Sequence, residues 1–356
     1  MCDHITVLSN FQLASQAVSC QRYGCGHINE TYLVVTECGT RYILQRINDR
    51  IFRDVPGLME NIASVTAFLA KQTDDPRSVL TLIPTNDNKA YHCDPTGAYW
   101  RVYAFVEDSI CLQLPETPAD FYESAVAFGS FQQLLKDFPA ETLHEIIPNF
   151  HNTPDRYRIF HETLAKDPMG RAKDVQEEIA FVLAREEEAG TLIRLLAEGK
   201  LPLRVTHNDT KLNNVMLDSQ TRTALCVIDL DTVMPGLSLY DFGDSIRFGA
   251  ASAAEDEQDL SKMEMRLEMF EIYTKGFLRS CPGLTETERQ MLPMGAKLMT
   301  LECGLRFLTD YLDGDHYFAT HRPGHNLDRA RTQFKLVADM ESKWEQMHQI
   351  VRQLAE

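Results

Sequence analysis

The first third of the chain alternates between apolar and polar positions in the way that antiparallel strands do. Residues 31–36 and 41–47 read as two strands joined by a tight glycine-bearing turn, which predicts a β-hairpin. Two more strands are predicted near 90–92 and 99–106, and a helix is predicted near 58–70. This part of the chain is therefore expected to form a sheet.

Beyond residue 107 the apolar spacing changes to that of amphipathic helices, and a short β-rich segment, 203–233, interrupts it. Helices are predicted at 118–138, 174–198, 260–279, 285–314 and 326–355. The order predicts an α+β, bilobal protein with a cleft between its lobes. Its small β-rich N-terminal lobe is expected to span 1–107, and its larger, mainly helical C-terminal lobe 108–356.

The composition excludes several functional classes. The 356 residues suit about two domains, and 35 Lys plus Arg against 52 Asp plus Glu give a net charge of −17, which argues against nucleic-acid binding. No apolar run approaches the roughly 18 residues of a membrane span, and the chain does not begin with a signal-peptide pattern. The nine cysteines include no C-x-x-C pair, so we expect a cytoplasmic protein with reduced thiols.

The strongest chemical signal lies in the β-rich segment. His207, Asp209, Lys211 and Asn214 follow the spacing H-x-D-x-K-x-x-N, the catalytic-loop pattern of kinases. Phosphoryl transfer needs a carboxylate that orients and deprotonates the attacking hydroxyl, and we assign this role to Asp209. Lys211 is placed to offset the charge of the transferred group. Asn214 is placed to offer an oxygen to Mg²⁺.

A second magnesium ligand is expected after a short hairpin formed by 215–217 and 224–228. This hairpin brings Asp229 back beside Asn214, at the end of an apolar strand. Asp231 follows two residues later and faces the same side of an extended chain, so we give it a supporting metal role.

Asp241-Phe-Gly243 spells the metal motif of protein kinases, but it lies well past the hairpin. We assign it to the start of a helix, where Asp241 or Asp244 caps that helix or braces the catalytic loop. Asp229 is therefore the predicted metal ligand.

Nucleotide binding is predicted at the loop 23–29 and nearby strands. Gly24 and Gly26 allow backbone amides to approach phosphate oxygens closely, although an ordinary hairpin turn gives the same pattern. Because a catalytic loop lies downstream, we prefer a phosphate-binding role for these glycines. We add Gln45, on the second hairpin strand, and Glu107, at the predicted hinge 105–108, as further ATP contacts.

Together these residues resemble the aminoglycoside phosphotransferase and choline kinase superfamily, through His207-x-Asp209, Asn214 and Ile228-Asp229. Within it, the chain is similar nearly end to end to the N-acetylhexosamine 1-kinases. The stretches that carry this narrower resemblance are 23–29, 41–45, 100–103, 203–214, 228–232, 241–244, 302–304, 306–308 and 317–320.

The resemblance implies a protein-kinase-like fold and ATP- and Mg²⁺-dependent phosphorylation of the anomeric hydroxyl of N-acetylglucosamine or N-acetylgalactosamine, which gives the α-1-phosphate. It implies that Asp209 contacts the sugar as the base and that His27, Arg306 and Tyr317 bind the sugar. For these three, a loop histidine, a core-edge ion pair and a hydrophobic anchor stay open as structural interpretations.

One departure from the wider superfamily leaves alternatives open. Gln45 stands where the strand lysine that binds ATP phosphates is expected. A catalytically silent pseudokinase would also lack that lysine, but the N-acetylhexosamine kinases carry a Gln at this place. The acidic balance also allows a kinase of a cationic substrate, such as an aminoglycoside or choline.

The expected partners are ATP and a small-molecule sugar, without nucleic acid or membrane. The oligomeric state, monomer or weak dimer, is left open.

Overall fold

The structure is a computed structural model that describes residues 4–24, 26 and 28–355. Within these residues the strands are β1 Ala17–Arg22, β2 Glu30–Thr36, β3 Arg41–Arg46, β4 Leu82–Ile83, β5 His92–Cys93, β6 Tyr99–Ala104, β7 Ser109–Cys111, β8 Arg204–Thr206, β9 Val215–Asp218, β10 Ala224–Val227 and β11 Met234–Gly236. The helices are α1 His4–Leu8, α2 Val55–Leu69, α3 Pro118–Leu134, α4 Thr153–Lys166, α5 Gln176–Leu183, α6 Glu186–Ala189, α7 Thr191–Ala197, α8 Ser238–Gly249, α9 Leu267–Ser280, α10 Glu286–Gln290, α11 Leu292–Asp313, α12 His325–Ser342 and α13 Trp344–Ala355.

The first third forms an antiparallel sheet in the order β1-β2-β3-β6-β4, with β5 also paired to β6. The predicted hairpin is confirmed as β2 and β3. Between β3 and β6, Leu44 lies opposite Val102 and both are fully buried in a small core on one face. Gln45 lies opposite Arg101, and since successive residues of a strand point to opposite faces, this pair projects from the other face.

Helix α2 connects this sheet to the rest of the molecule. It begins after Asp54, whose carboxylate accepts a hydrogen bond from the backbone N–H of Gly57 at 3.0 Å and so caps the helix. The buried side chains of Leu58, Ile62 and Val65 join the large core, which also contains the helices beyond residue 107. The main core therefore extends across both the strand-rich and the helix-rich parts of the chain.

The helix-rich part confirms the predicted helical regions but divides them more often. The predicted helix 174–198 is three short helices, and 260–279 begins later, at Leu267. The predicted helix 285–314 is interrupted at Met291, because Pro293 lies in the first turn of α11, where its missing N–H is tolerated. The predicted helix 326–355 is interrupted at Lys343. Apolar positions continue across these breaks, so their spacing alone does not reveal them.

Helix α8 is buried along nearly its whole length and packs closely on α11. A Cβ atom placed on Gly243 would lie only 2.4 Å from the carbonyl oxygen of Gly295. Glycine at these two positions lets the helix backbones approach each other. Helix α8 thereby becomes a fixed support beneath the catalytic loop.

Two small sheets bring the chemical segments together. Strands β7, β9 and β10 form one sheet, and β8 pairs with β11 in the other. The predicted hairpin 215–228 is confirmed as β9 and β10. The catalytic loop follows β8, whereas the segment that contains Asp229 precedes β11. Because Thr206 of β8 lies opposite Met234 of β11, the two segments lie side by side.

Among the described residues, none of the helices has the length and apolar character that crossing a bilayer requires.

Candidate active site

Asp209 and Lys211 lie together on the catalytic loop. Lys211 Nζ is 2.7 Å from Asp209 Oδ1, and each side chain keeps about a third of its surface exposed, 38% and 32% respectively. Burial alone would lower the pKa of Lys211, but Asp209 and Asp244 raise it above its ordinary value. The lysine is therefore a cation that orients one oxygen of the candidate base.

Asn214 orients the other oxygen. Its side-chain nitrogen donates to Asp209 Oδ2 at 3.1 Å and to the Asp209 backbone carbonyl at 2.8 Å. Its own backbone carbonyl accepts from the N–H of Ile228 at 2.9 Å, and His207 Nε2 donates to the Ile228 carbonyl at 2.9 Å. These bonds hold the end of β10 against the catalytic loop, so Asp229 lies beside Asn214, as the hairpin predicts.

Asp229 has a conformation and an environment that ordinary aspartates avoid. Its backbone is left-handed, with φ of 60° and ψ of 57°, and such strain in a residue other than glycine concentrates at functional sites. Its carboxylate has no hydrogen-bond or ion-pair partner among residues 4–24, 26 and 28–355. The residue reaches solvent, yet the surrounding protein disfavours its charge and, with Asp231 and Asp209 nearby, raises its pKa to about 6.

An unpartnered carboxylate beside an asparagine suits a hard cation. In the described part of the chain, no three His, Cys, Asp or Glu side chains are grouped so as to hold a metal ion. Mg²⁺ does not need such a cage, since it usually keeps several waters and binds through one or two protein ligands plus substrate phosphates. Because the Asn214 nitrogen is used by Asp209, its oxygen is the atom left for a cation. Asn214 and Asp229 thus fit magnesium.

Asp241 braces the catalytic loop from below. Its carboxylate accepts from the backbone N–H groups of His207 at 3.0 Å and Asn208 at 2.8 Å, and from Gln132 Nε2 at 2.6 Å. It is fully buried in α8. Asp244, one turn later, accepts from the N–H of Thr210 at 3.1 Å. Both carboxylates are therefore occupied by the loop, one of the two roles that the sequence left open for them.

Asp231 departs from its predicted role. It is buried, its Oδ2 accepts from Asn29 at 2.5 Å, and its Oδ1 is paired with Arg101. Both oxygens are thus occupied by protein donors, so the geometry does not support the expected metal role and gives the residue an ion pair instead. Arg101 itself was not among the predicted site residues. The signal for it was present: a lone arginine inside the apolar strand 99–104 needs a buried partner.

The predicted nucleotide contacts lie on the sheet side. At Gly24, whose φ is 75°, and at Gly26, no atom of the described residues apart from the chain neighbours lies within 4 Å of where a Cβ would be, so these positions border open space. The carboxamide of Gln45 is occupied on both sides, since it donates to Thr31 at 3.0 Å and accepts from Arg101 at 2.9 Å. It therefore supports Arg101 and is not free for a phosphate.

Glu107, one of the predicted ATP contacts, has its carboxylate occupied by another side chain. The carboxylate of Glu107 is paired with Arg41, whose Nε lies 3.1 Å from it, at the exposed edge of the sheet. This pair occupies the Glu107 side chain. His27 lies outside the described residues.

Arg306 and Tyr317, which the resemblance assigns to the sugar, are in contact. The Arg306 guanidinium donates to the Tyr317 hydroxyl at 3.2 Å. It also lies 5.2–5.6 Å from the ring centres of Phe150, Tyr317 and Phe318. Tyr317 is 67% exposed. The arrangement is a cation amid aromatic rings at the surface.

A buried polar cluster links these residues to the catalytic side. His151 Nδ1 donates to Glu302 at 2.8 Å, and the His151 ring packs against Tyr240 of α8 with 5.2 Å between ring centres. Burial alone would raise the pKa of Glu302, but His151 and Arg306 help to hold it below its ordinary value. His151 Nε2 is buried and has no hydrogen-bond partner within the described residues. The sequence left His151 unassigned because a helix start explained it equally well.

Comparison with known proteins identifies the family of the chain. The profile of a family described as a phosphotransferase enzyme family matches residues 19–271 of the chain. This range contains the glycine-bearing loop, the catalytic loop and Asp229.

Solved structures of small-molecule kinases share the fold. A microcompartment-associated aminopropanol kinase is 20% identical, with a TM-score of 0.63 over 97% of this chain and 98% of that one. An aminoglycoside phosphotransferase from Alicyclobacillus acidocaldarius is 14% identical, with a TM-score of 0.62 over 100% and 96%. A choline kinase from Cryptosporidium parvum is 13% identical, with a TM-score of 0.55 over 99% of both chains. At these identities the similarity confirms the predicted kinase-like α+β fold.

Proposed function

The chain belongs to the phosphotransferase enzyme family, and on that premise we propose that it is an N-acetylhexosamine 1-kinase. It transfers the γ-phosphoryl group of ATP to the anomeric C1 hydroxyl of N-acetylglucosamine or N-acetylgalactosamine. The bond between the γ-phosphorus and the β,γ-bridging oxygen breaks, and a bond from phosphorus to O1 forms. The products are ADP and the sugar α-1-phosphate.

Asp209 acts as the base in this proposal. Lys211 and Asn214 each engage one of its oxygens, which fixes the carboxylate for the attacking hydroxyl. The anomeric hydroxyl is more acidic than an ordinary alcohol, so modest base assistance suffices. Positioning and charge neutralisation then provide most of the rate enhancement.

In this proposal the phosphates of ATP lie between the glycine-bearing loop and the metal corner, which is formed by Asn214 and Asp229. Gly24 and Gly26 border the open space in which backbone amides approach phosphate oxygens. Asn214 and Asp229 would hold Mg²⁺, which would neutralise phosphate charge when bound. Lys211 adds a further positive charge on the acceptor side of the site.

The observation that carries the choice of acceptor is that two carboxylates, Glu302 near Arg306 and Asp244 beneath the catalytic loop, already have protein partners. Glu302 is held by His151 at 2.8 Å and by Thr153 at 2.7 Å. Asp244 is held by Arg247 at 2.9 Å. These carboxylates already have protein partners and are not free for a cationic acceptor, whereas an uncharged, hydroxyl-rich acceptor suits a surface of aromatic rings.

Two alternatives remain distinguishable. A kinase of a cationic amino alcohol or aminoglycoside would share the fold and the catalytic loop. A pseudokinase would bind nucleotide without transferring phosphate, and the absence of a strand lysine at Gln45 keeps that alternative in the test.

Phosphorus NMR of the protein with ATP and Mg²⁺ tests the proposal, with N-acetylglucosamine and N-acetylgalactosamine supplied in turn. We expect a new sugar 1-phosphate signal. An Asp209→Asn variant is the control; it should bind nucleotide and give no such signal. A signal only with aminopropanol, choline or an aminoglycoside would overturn the sugar assignment, and ADP binding without transfer to any acceptor would favour the pseudokinase.

The same proposal includes the lobe division. Residues 1–107 form the nucleotide lobe, and 108–356 form the lobe that carries the catalytic loop, metal corner and sugar pocket. The chain leaves the first sheet at Ala104 and joins the sheet of β9 at Ser109, which supports a boundary there. A cytoplasmic location, where ATP is available, accompanies the proposed reaction.

A further inference from the structure

Arg101 is a buried cation of the first sheet, with partners both in that sheet and in the segment that follows Asp229. It is 1% exposed and projects from the centre of β6. Its Nε donates to Gln45 at 2.9 Å within the sheet, and its Nη1 is paired with Asp231 beyond the catalytic loop. The guanidinium therefore joins the sheet to the segment that carries the predicted metal ligand.

Asp231 receives a second bond that reaches the glycine-bearing loop. Its Oδ2 accepts from Asn29, the residue that ends the loop 23–29. The other end of the Asn29 side chain accepts from the backbone N–H of Asn48 at 3.0 Å. One buried carboxylate thus ties together the end of the glycine-bearing loop, the sheet and the metal segment.

The same carboxylate anchors the turn that follows Asp229. Leu230, Asp231 and Thr232 form a single 3₁₀ turn that follows directly on the left-handed residue Asp229. Leu230 and Asp231 are buried, whereas the Asp229 carboxylate lacks a partner among the described residues. Since the Asp229 carboxylate has no partner among the described residues, its direction depends on the segments on either side of it, Ile228 bonded to Asn214 and the turn anchored at Asp231.

We propose that Arg101 is the positioning cation of the nucleotide site, and that through Asp231 it fixes both the metal ligand Asp229 and the end of the glycine-bearing loop. It lies on β6 directly opposite Gln45, the β3 position at which a strand lysine was expected. Arg101 is buried and paired, so it acts through Asp231 and does not contact the nucleotide. The proposal concerns magnesium–nucleotide binding and does not depend on which acceptor is phosphorylated.

A purely structural ion pair would behave differently. Replacing a buried pair by apolar or neutral groups of similar size is often neutral for stability, whereas removing one partner leaves an uncompensated charge. The double variant Arg101→Met/Asp231→Asn therefore separates the two roles. If the pair only stabilises the fold, this variant keeps the stability and the nucleotide binding of the wild type. If the pair positions Asp229, the variant keeps the stability and loses nucleotide binding.

The experiment measures ADP binding by calorimetry with Mg²⁺ and with EDTA, together with the Tm of the free protein. For Arg101→Met/Asp231→Asn we expect a Tm near that of the wild type and an increase in the Kd of ADP with Mg²⁺ of about 10- to 100-fold, typical for residues that support a metal ligand. With EDTA the Kd should change much less. Arg46→Met, which removes an exposed β3 arginine paired with Glu30, is the matched control and should leave both values unchanged.

A rescue variant keeps the test decisive if the first variant does not fold. Gln45→Lys/Arg101→Met moves the cation to the opposite strand, and since the Gln45 carboxamide already lies 2.9 Å from the Arg101 head group, a lysine there reaches the same carboxylate. We expect the Kd of ADP with Mg²⁺ to return close to the wild-type value. Wild-type Mg²⁺-dependent binding in the first variant, or no recovery in a folded rescue variant, would overturn the proposal. Neither outcome bears on the sugar, which the phosphorus NMR experiment tests separately.

Discussion

Two acidic segments of the chain, 229–231 and 241–244, look alike in sequence and differ completely in their surroundings. Asp241 is buried and accepts hydrogen bonds from His207, Asn208 and Gln132. Asp229 reaches solvent, has a left-handed backbone and has no partner among the described residues. The Asp241 carboxylate stabilises the loop that carries the base, whereas the Asp229 carboxylate remains available to a cation.

The difference shows that a carboxylate's partners, more than its motif, indicate its role. Asp241-Phe-Gly243 matches the protein-kinase metal motif letter for letter, yet its oxygens are occupied by the catalytic loop. A binding site needs unsatisfied groups, and unsatisfied groups reduce stability. Asp229 is therefore assigned to function and Asp241 to stability.

The largest expected effect tests the functional side of this comparison. Asp229→Asn should lower kcat by about 10²- to 10³-fold, a loss of the size found when one group that stabilises transition-state charge is removed. It should also abolish the dependence of ADP binding on Mg²⁺. Steady-state kinetics and calorimetry measure both. If Asp229→Asn retains Mg²⁺-dependent binding and Asp241→Asn loses it while folded, the two assignments are reversed.

Asp241→Ala tests the structural side. The substitution leaves two buried backbone N–H groups and the Gln132 amide without their acceptor, so we expect a loss of roughly 3 kcal/mol in the free energy of unfolding. Urea denaturation measures it. Asp229→Asn is the matched comparison and should lose no stability. Equal losses in the two variants would contradict the contrast between the segments.

The pH dependence of stability sharpens the comparison further. The pKa of Asp229 is raised to about 6 in the folded protein, above the value near 4 of an unfolded chain. The folded state thus binds this proton more tightly, and the resulting stability is present below pH 4 and lost as the pH rises through 6. In EDTA, the Tm of Asp229→Asn should therefore exceed that of the wild type by a few degrees at pH 7. The gap should narrow at pH 5; a gap independent of pH would argue against the raised pKa.

The smallest effect lies outside both segments. Arg306→Met removes the guanidinium that contacts Tyr317 at 3.2 Å, and we expect the KM for the sugar to rise about tenfold, the equivalent of one lost hydrogen bond to a charged group. The Kd for ADP with Mg²⁺ should stay unchanged. Arg306→Lys should recover part of the loss. An effect on ADP binding alone would place Arg306 on the nucleotide side.

Much of the catalytic corner could be predicted because its parts are close in sequence. The spacing from His207 to Asn214 and the hairpin that returns to Asp229 are local features, and the structure places Asn214 and Asp229 side by side through the bond between Ile228 and Asn214. The long helices were less predictable at their ends. Apolar spacing continues through Met291 and Lys343, where the helices are interrupted.

The sequence by itself determined the α+β arrangement, the catalytic loop and the likeness to small-molecule kinases, because these depend on residue types at short, fixed spacing. Only the tertiary structure decided that Asp231 pairs with Arg101, 130 residues away, and with Asn29, 202 residues away. Those contacts depend on the register of β3 and β6 and on how the sheet meets the catalytic segment. Neither is encoded in local spacing, since both follow from the packing of the whole chain.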